Sequence, residues 1–320
     1  MFSLRRMTPD DKPALMEISS RIWEGTDYLP LVFDDWVRDT HGEFAAVELD
    51  GALVGCAKLT FLTDTDAWLE GMRKDPRVTE KGLALAVGKY FLERLANRAD
   101  LTSVRFSTYF ANAASIRANE RNGFRLRTVL SIKKWEGSVE TLPHVAPGAA
   151  RAEVHHDAGP VLAFLERSGY FIAADLLVVE GWRSYPFTPG LIGERYVKSG
   201  QCRAVMSGTG CVGAAAWNAE TRAGATTVKL VFLDAEDDST ADVLFGALIR
   251  AVRDEMTGAA ARTGSLEWMI PDLARLKRWA KRWGLASYEQ ENDFFVYELP
   301  RELPRTAPRG PEAERSGRPS

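Results

Sequence analysis

The strongest constraint on this chain is an internal echo. AAVELDGALVGCAKL near residue 45 is answered by RAVMSGTGCVGAAAW from Arg203, with Gly55 falling on Gly213. Further on, GSLEWMIPDLARLKRWAKRWGLASYEQENDFFVYEL repeats an order of strand, short helix and closing strands, with Gly284-Leu285 where Gly123-Phe124 stands. The offset stays between 158 and 161 residues across these landmarks, as duplication of one α/β unit requires. At 320 residues the chain also exceeds the size at which one core keeps growing, so two domains of about 150 residues are expected.

The divisions follow from this. Residues 1–137 form the first unit, and 138–151, rich in Gly, Pro, Ala and Ser, read as a linker. Residues 152–300 form the second unit, and 301–320, without periodicity, read as a disordered tail. In the first unit PDDKPALMEISSRIW opens a helix, and EFAAVELDGALVGCAKLTFL reads as a hairpin turning at Asp50-Gly51. AWLEGMRK is a strand whose alternation puts Trp68, Glu70, Met72 and Lys74 on one face and Leu69, Gly71 and Arg73 on the other. Leu83, Val87, Tyr90, Phe91 and Leu95 give the next helix a core-facing stripe, LTSVRFSTYF is a strand, and FRLRTVLSIKKWE is a strand or strand pair.

A formal charge of −3 gives no electrostatic footprint for nucleic acid, so a small-molecule partner is the default. Cys56, Cys202 and Cys211 lack metal-ligand spacing and cannot all pair within the chain, which points to reduced core residues and the cytoplasm. No apolar run of about 18 residues suggests a membrane partner.

RKDPRVTEKGLALAVGKYF, from Arg73, carries the clearest chemical signal. It has neither the Walker A pattern nor a dinucleotide fingerprint. It resembles the coenzyme A pyrophosphate loop of the GNAT acyltransferases, V-x-P-x-x-[QR]-x-x-G-x-[GA], with Pro76, Gly82 and Ala84 in place, Lys74 at the valine and Thr79 at the Gln/Arg position. NAASIRANERNGF resembles the same family's following segment, with Asn112, Ser115, Asn119, Gly123 and Phe124 in register. RIWEGTDYLPLVFDDW, WLEGMR and GWRSYPF resemble the subgroup containing the histidine N-acetyltransferases. The resemblance implies two tandem GNAT folds, mixed α and β, acetyl-CoA as cosubstrate, and acetyl transfer to the amine of a small polar molecule.

By that resemblance the backbone of Thr79, Glu80, Lys81, Gly82, Leu83 and Ala84 would cradle the pyrophosphate at a helix start. Met72, Arg73 and Lys74 would pair with the pantetheine amides. Asn112, Ser115 and Asn119 would lie beside the pantetheine and the adenosine side. Thr79 is short, so the loop's order must come from elsewhere, and the anionic Glu80 must point its side chain to solvent. Asn119 stands where many members have a thiolate-protonating tyrosine, which an amide cannot replace; Tyr109 is a weak substitute.

An ammonium must lose a proton to become a nucleophile, and Glu70 is the candidate base, its pKa expected to be raised beside Trp68 and Met72. The open alternative is a structural pair with Arg105. The Met72 backbone N–H is the oxyanion donor that the resemblance implies. Glu24, Asp27, Tyr28 and Trp36 would line the acceptor side, where carboxylates and aromatics suit a cationic amine; equally, Tyr28 and Trp36 could pack and Asp27 cap a helix. The second copy has DAEDDSTADV at the loop position, acidic and without glycine, and is expected to be degenerate. The expected protein is a cytoplasmic N-acetyltransferase, monomer or homodimer. The alternatives are a non-catalytic coenzyme A-binding regulator or a protein lysine or N-terminal acetyltransferase.

Overall fold

A computed structural model describes residues 1–143, 151–222 and 224–300. The proposed tail, and the linker apart from residues 138–143 and 151, lie outside them. The first half runs β1 (Phe2–Arg6), α1 (Lys12–Ser19), α2 (Leu29–Arg38), β2 (Glu43–Leu49), β3 (Ala52–Thr63), β4 (Asp66–Lys74), α3 (Leu83–Leu95), β5 (Ser103–Tyr109), α4 (Ala113–Arg121) and β6 (Arg125–Gly137). The second runs β7 (Glu153–Val154), α5 (Ala158–Arg167), α6 (Tyr170–Ala173), the short β8 (Leu177–Glu180) and β9 (Arg183–Pro186), then β10 (Cys202–Ser207), β11 (Gly210–Arg222), β12 (Ala225–Ala235), α7 (Asp238–Gly258), β13 (Thr263–Ile270), α8 (Ala274–Arg282), β14 (Ala286–Ser287) and β15 (Phe294–Glu298).

The echo in the sequence is an echo in the fold. Each half has an antiparallel meander, a helix, and a parallel neighbour strand: β4 beside β5 in the first, β12 beside β13 in the second. The hairpin at Asp50-Gly51 forms as its residues dictate, both with positive φ (51° and 82°), as a two-residue turn of matching twist needs.

How the halves join is not written in the local pattern. The expected strand or strand pair after Phe124 is one strand, β6, which serves both halves: Arg125–Leu130 pair with β15, and Ser131–Gly137 pair with β13. The last strand, β15, inserts between β5 and β6. Each half's closing strand therefore completes the other's sheet, and a 13-stranded sheet crosses the boundary drawn at 138–151. Buried Asp293 fastens the exchange, accepting from Ile132 N at 2.8 Å while its carbonyl accepts from Phe110 N at 2.9 Å.

Two cores flank the first half's sheet. Leu83, Val87, Phe91 and Leu95 pack α3 on one face, and Leu15, Leu29, Phe33 and Trp36 pack α1 and α2 on the other. Trp268, Trp279 and Trp283 lie in the second half's core, where Trp283 stacks on Phe245 with centroids 4.1 Å apart. All three cysteines are free and buried. Among the described residues no helix is long and apolar enough to cross a membrane.

Candidate active site

β4 and β5 begin side by side and then part. Parallel pairing covers only Asp66, Ala67 and Trp68 against Ser103, Val104 and Arg105. Beyond Trp68 the rest of β4 has no strand partner on that side among the described residues, which leaves an open strand edge next to the loop.

A bulge in the same stretch corrects the alternation expected for AWLEGMRK. On β3, Lys58 faces Glu70 and Cys56 faces Arg73, so Gly71 and Met72 together oppose a single residue. Gly71 makes this possible with φ +66°, and its bare Cα sits over a ring: a Cβ there would lie 2.4 Å from Trp36. The extra residue turns Met72 onto the face of Leu69 and α3, whereas Arg73 joins Glu70 on the α1–α2 face. Met72 therefore forms no wall around Glu70, contrary to the sequence expectation.

The loop into α3 takes its order from Asp75, which answers what supplies the stiffness Thr79 cannot. Buried Asp75 accepts from Arg77 N at 2.9 Å and pairs with the Arg77 guanidinium at 2.8 Å, while Lys74 Nζ donates to Glu80 O at 2.8 Å. Arg77 holds the Asp75 carboxyl below the usual range. Gly82, at φ +100°, starts the helix, whose first backbone bond runs from Ala86 N to Gly82 O. Among the described residues, no hydrogen bond uses the amides of Thr79 to Leu85 as donors. Seven consecutive donors at a helix start suit a pyrophosphate. The Glu80 side chain is exposed, as expected, with Arg77 and Lys81 exposed nearby.

α4 contributes less than its motif promises. Asn112 caps the helix, accepting from Ser115 N at 3.3 Å. Buried Asn119 turns its Nδ2 back to donate to Ser115 O at 3.0 Å and Ser115 Oγ at 3.3 Å, within its own helix.

On the other face Glu70 lies among groups from both halves. It does not pair with Arg105, which is buried against Asp66 at 3.1 Å and Glu298 at 3.6 Å. Its Oε1 accepts from Thr60 Oγ1 at 2.6 Å and from Arg183 Nη2 at 2.8 Å; its Oε2 accepts from Arg183 Nη2 at 3.0 Å and Nε at 3.1 Å. Arg183 belongs to β9 of the second half. Glu70 holds the Arg183 pKa up against the burial that lowers it. The hairpin carrying Arg183 is pinned on both sides, because Ser107 Oγ donates to Trp182 O at 2.6 Å and Arg105 Nη2 to Ser184 O at 3.4 Å.

Asp27 is buried and already neutralised. Arg73 grips it at 2.9 Å, and Ser19 Oγ donates to it at 3.2 Å. Burial lowers the Arg73 pKa and Asp27 more than restores it. Arg73 in turn lies 4.3 Å from the Trp23 ring centroid and 4.9 Å from that of Tyr28. Trp23 and Glu24 both have left-handed backbones (φ 48° and 57°), an arrangement costly for non-glycine residues that lifts Trp23 over Arg73 and leaves Glu24 exposed. Trp36 is a core residue against Phe44 and the floor beneath Gly71, rather than a ring open to the cleft. Lys58, almost wholly buried beside Asp39, has its pKa lowered by burial. Cys56 lies beneath the same face, its thiol pushed up to about 12 by burial, hence inert at neutral pH.

Arg183, Trp23 and Lys58 are the residues that sequence reasoning missed. Arg183 sits inside GWRSYPF, a stretch singled out only for its resemblance, and nothing in one sequence pairs it with a glutamate 113 positions earlier.

Comparison with known proteins bears on the fold. The Acetyltransferase (GNAT) family profile matches residues 12–124. A histidine N-acetyltransferase of Oreochromis niloticus is 27% identical over 92 residues, which span 28% of this chain and 27% of that relative's length. Among solved structures, a GCN5-related N-acetyltransferase from Sphaerobacter thermophilus superposes with a TM-score of 0.60 at 16% identity, covering 93% of this chain and 95% of that one. A tandem GNAT protein from the clavulanic acid biosynthesis pathway gives 0.54 at 12% identity, covering 94% and 100%. The chain has the GNAT fold and resembles tandem GNAT proteins over nearly its whole length.

Proposed function

We propose that this chain is an acetyl-CoA-dependent N-acetyltransferase with one working site, in its first half, acting on the amine of a small polar molecule. The observation that carries the reading is the splayed edge of β4: it lies between seven unclaimed loop amides on one side and Glu70 on the other. The residues fit the cosubstrate, since amides at a helix start favour phosphate and an open strand edge can pair with an extended amide chain. When bound, acetyl-CoA supplies the activated thioester. The Thr79–Leu85 amides hold the anionic end, the Met72–Lys74 edge orients the chain, and Glu70 takes a proton from the amine.

The second half serves as scaffold and cleft wall. At the equivalent loop, Asp237 caps α7 by accepting from Thr240 N at 2.8 Å, so a carboxylate already occupies the helix start. Asp238 and Asp242 are bound by Arg282, and Asp234 is held by Arg275 at 2.7 Å. An acidic, self-satisfied helix start does not attract pyrophosphate.

A non-catalytic coenzyme A-binding role is the second reading, favoured by Asn119, which offers no acid to the departing thiolate. Calorimetric binding of coenzyme A, paired with thiol release across amino acids, polyamines, aminoglycosides and peptides, separates the two. Binding with release for at least one amine supports the enzyme. Binding with none would leave the regulator.

A further inference from the structure

We infer that Arg183 is a latch on the base, contributed by the second half, and that an acceptor bearing a carboxylate beside its amine opens it. This rests on the acetyltransferase reading and deepens it by naming the acceptor class.

Four contacts fall on the two oxygens of Glu70, three of them from Arg183, and an ionised carboxylate offers about four lone-pair sites. In this arrangement no site remains to receive a proton from an amine. Glu70 becomes a base only when Arg183 withdraws. A partly buried guanidinium does not leave a carboxylate for nothing; it needs another anion in reach. The backbone on both sides of Arg183 is tied to β5 through Trp182 and Ser184, so the change is confined to the side chain. That side chain is 42% exposed, whereas its partner Glu70 is 14% exposed, so the arginine is open to an incoming molecule.

Two neighbouring cations, Arg73 and Lys58, are unsuited to the task. Arg73 is 10% exposed and bound to a fully buried Asp27; removing it would strand that carboxylate. Lys58 is 1% exposed and held by Asp39. Of these three, Arg183 combines access with a partner whose release is useful. A carboxylate on the carbon that carries the amine meets both requirements: it replaces Glu70 on the guanidinium fork and leaves the ammonium beside the freed Glu70. The ammonium then passes one proton to Glu70 and on to solvent. As the C–N bond forms and the thioester C–S bond breaks, the nitrogen loses a second proton and the coenzyme leaves with one, which balances the transfer. A neutral analogue has nothing to offer Arg183 and finds the base latched.

The test compares kcat/KM for amino acids and the matching amino acid amides, by thiol release, in the parent, Arg183→Gln and Arg183→Lys. The parent should prefer the acid by about 10- to 100-fold, the worth of one charge-assisted pair. Arg183→Gln should erase that preference, lowering acid turnover while amide turnover holds or rises because Glu70 is freed. Arg183→Lys should retain part of it. Three results would overturn the latch: a parent that uses amides as well as acids, a preference unchanged in Arg183→Gln, or an equal loss for both acceptors. All three leave the acetyltransferase reading intact. A parent that releases no thiol with any amine of the wider panel of amino acids, polyamines, aminoglycosides and peptides removes that reading, and the latch with it.

Discussion

Gly71→Ala strikes the feature that arranges the site. The new methyl would sit 2.4 and 2.5 Å from two ring atoms of Trp36. That ring has little room to step aside, because it is buried and packs edge-on against buried Phe44, centroids 5.2 Å apart. The backbone at φ +66° adds strain for any L side chain. Left-handed backbone costs about 1–2 kcal/mol and overpacking about 1–3 kcal/mol, so the variant should lose about 2–5 kcal/mol in urea unfolding of the full chain. Gly82→Ala is the control: its φ is +100° but a Cβ there meets nothing within 4 Å, so it should show only the backbone part. Combining Gly71→Ala with Trp36→Phe should return about 1 kcal/mol or more of coupling in a double-mutant cycle. If the chain instead relieves the clash by flattening the bulge, Met72 and Arg73 exchange faces, and turnover should fall further than stability alone explains. A Gly71→Ala protein within about 0.5 kcal/mol of the parent and fully active would refute the claim that the bulge is held between Trp36 and the strand.

Two further outcomes follow from paired carboxylates. Asp27→Ala strands Arg73 and should cost about 3–5 kcal/mol in the same unfolding assay. Asp11 accepts hydrogen bonds from Arg5 and Thr8, which hold its carboxyl at about 2, below its ordinary 3.8. A depressed carboxyl stabilises above its unfolded pKa, and the contribution drains away as pH falls from about 4 toward 2. Asp11→Asn should therefore remove about 1–2 kcal/mol at neutral pH and flatten the acid limb of the stability profile in that window.

Local pattern made much of this legible. The Asp50-Gly51 turn, the stripe on α3 and the offset between Gly55 and Gly213 each depend on neighbours in sequence, or on a repeat whose copies can be compared. The bulge was not legible, because alternation in AWLEGMRK gives no sign of an extra residue until Trp36 is known to lie under Gly71. The exchange of β6 and β15 was not legible either. It changes partners without changing patterns, since a strand half-buried in its own sheet reads the same in its neighbour's. The Glu70–Arg183 pair joins the two halves, whereas the alternative that sequence offers for Glu70, Arg105, lies on the adjoining strand of the same half. Residue type alone points Asp27 and Trp36 equally to the acceptor side or to capping and packing. Their burial shows that one serves Arg73 and the other the strand.

In the proposed function Glu70 on β4 serves a single acetyl-transfer site. The most direct measurement is kcat of Glu70→Gln at saturating acetyl-CoA and acceptor, across pH, with coenzyme A affinity measured on the same samples. Loss of a general base should lower kcat about 100-fold or more while coenzyme A binds as in the parent, since the loop amides are untouched. A kcat within about threefold of the parent at every pH, well short of what a base contributes, would contradict the account.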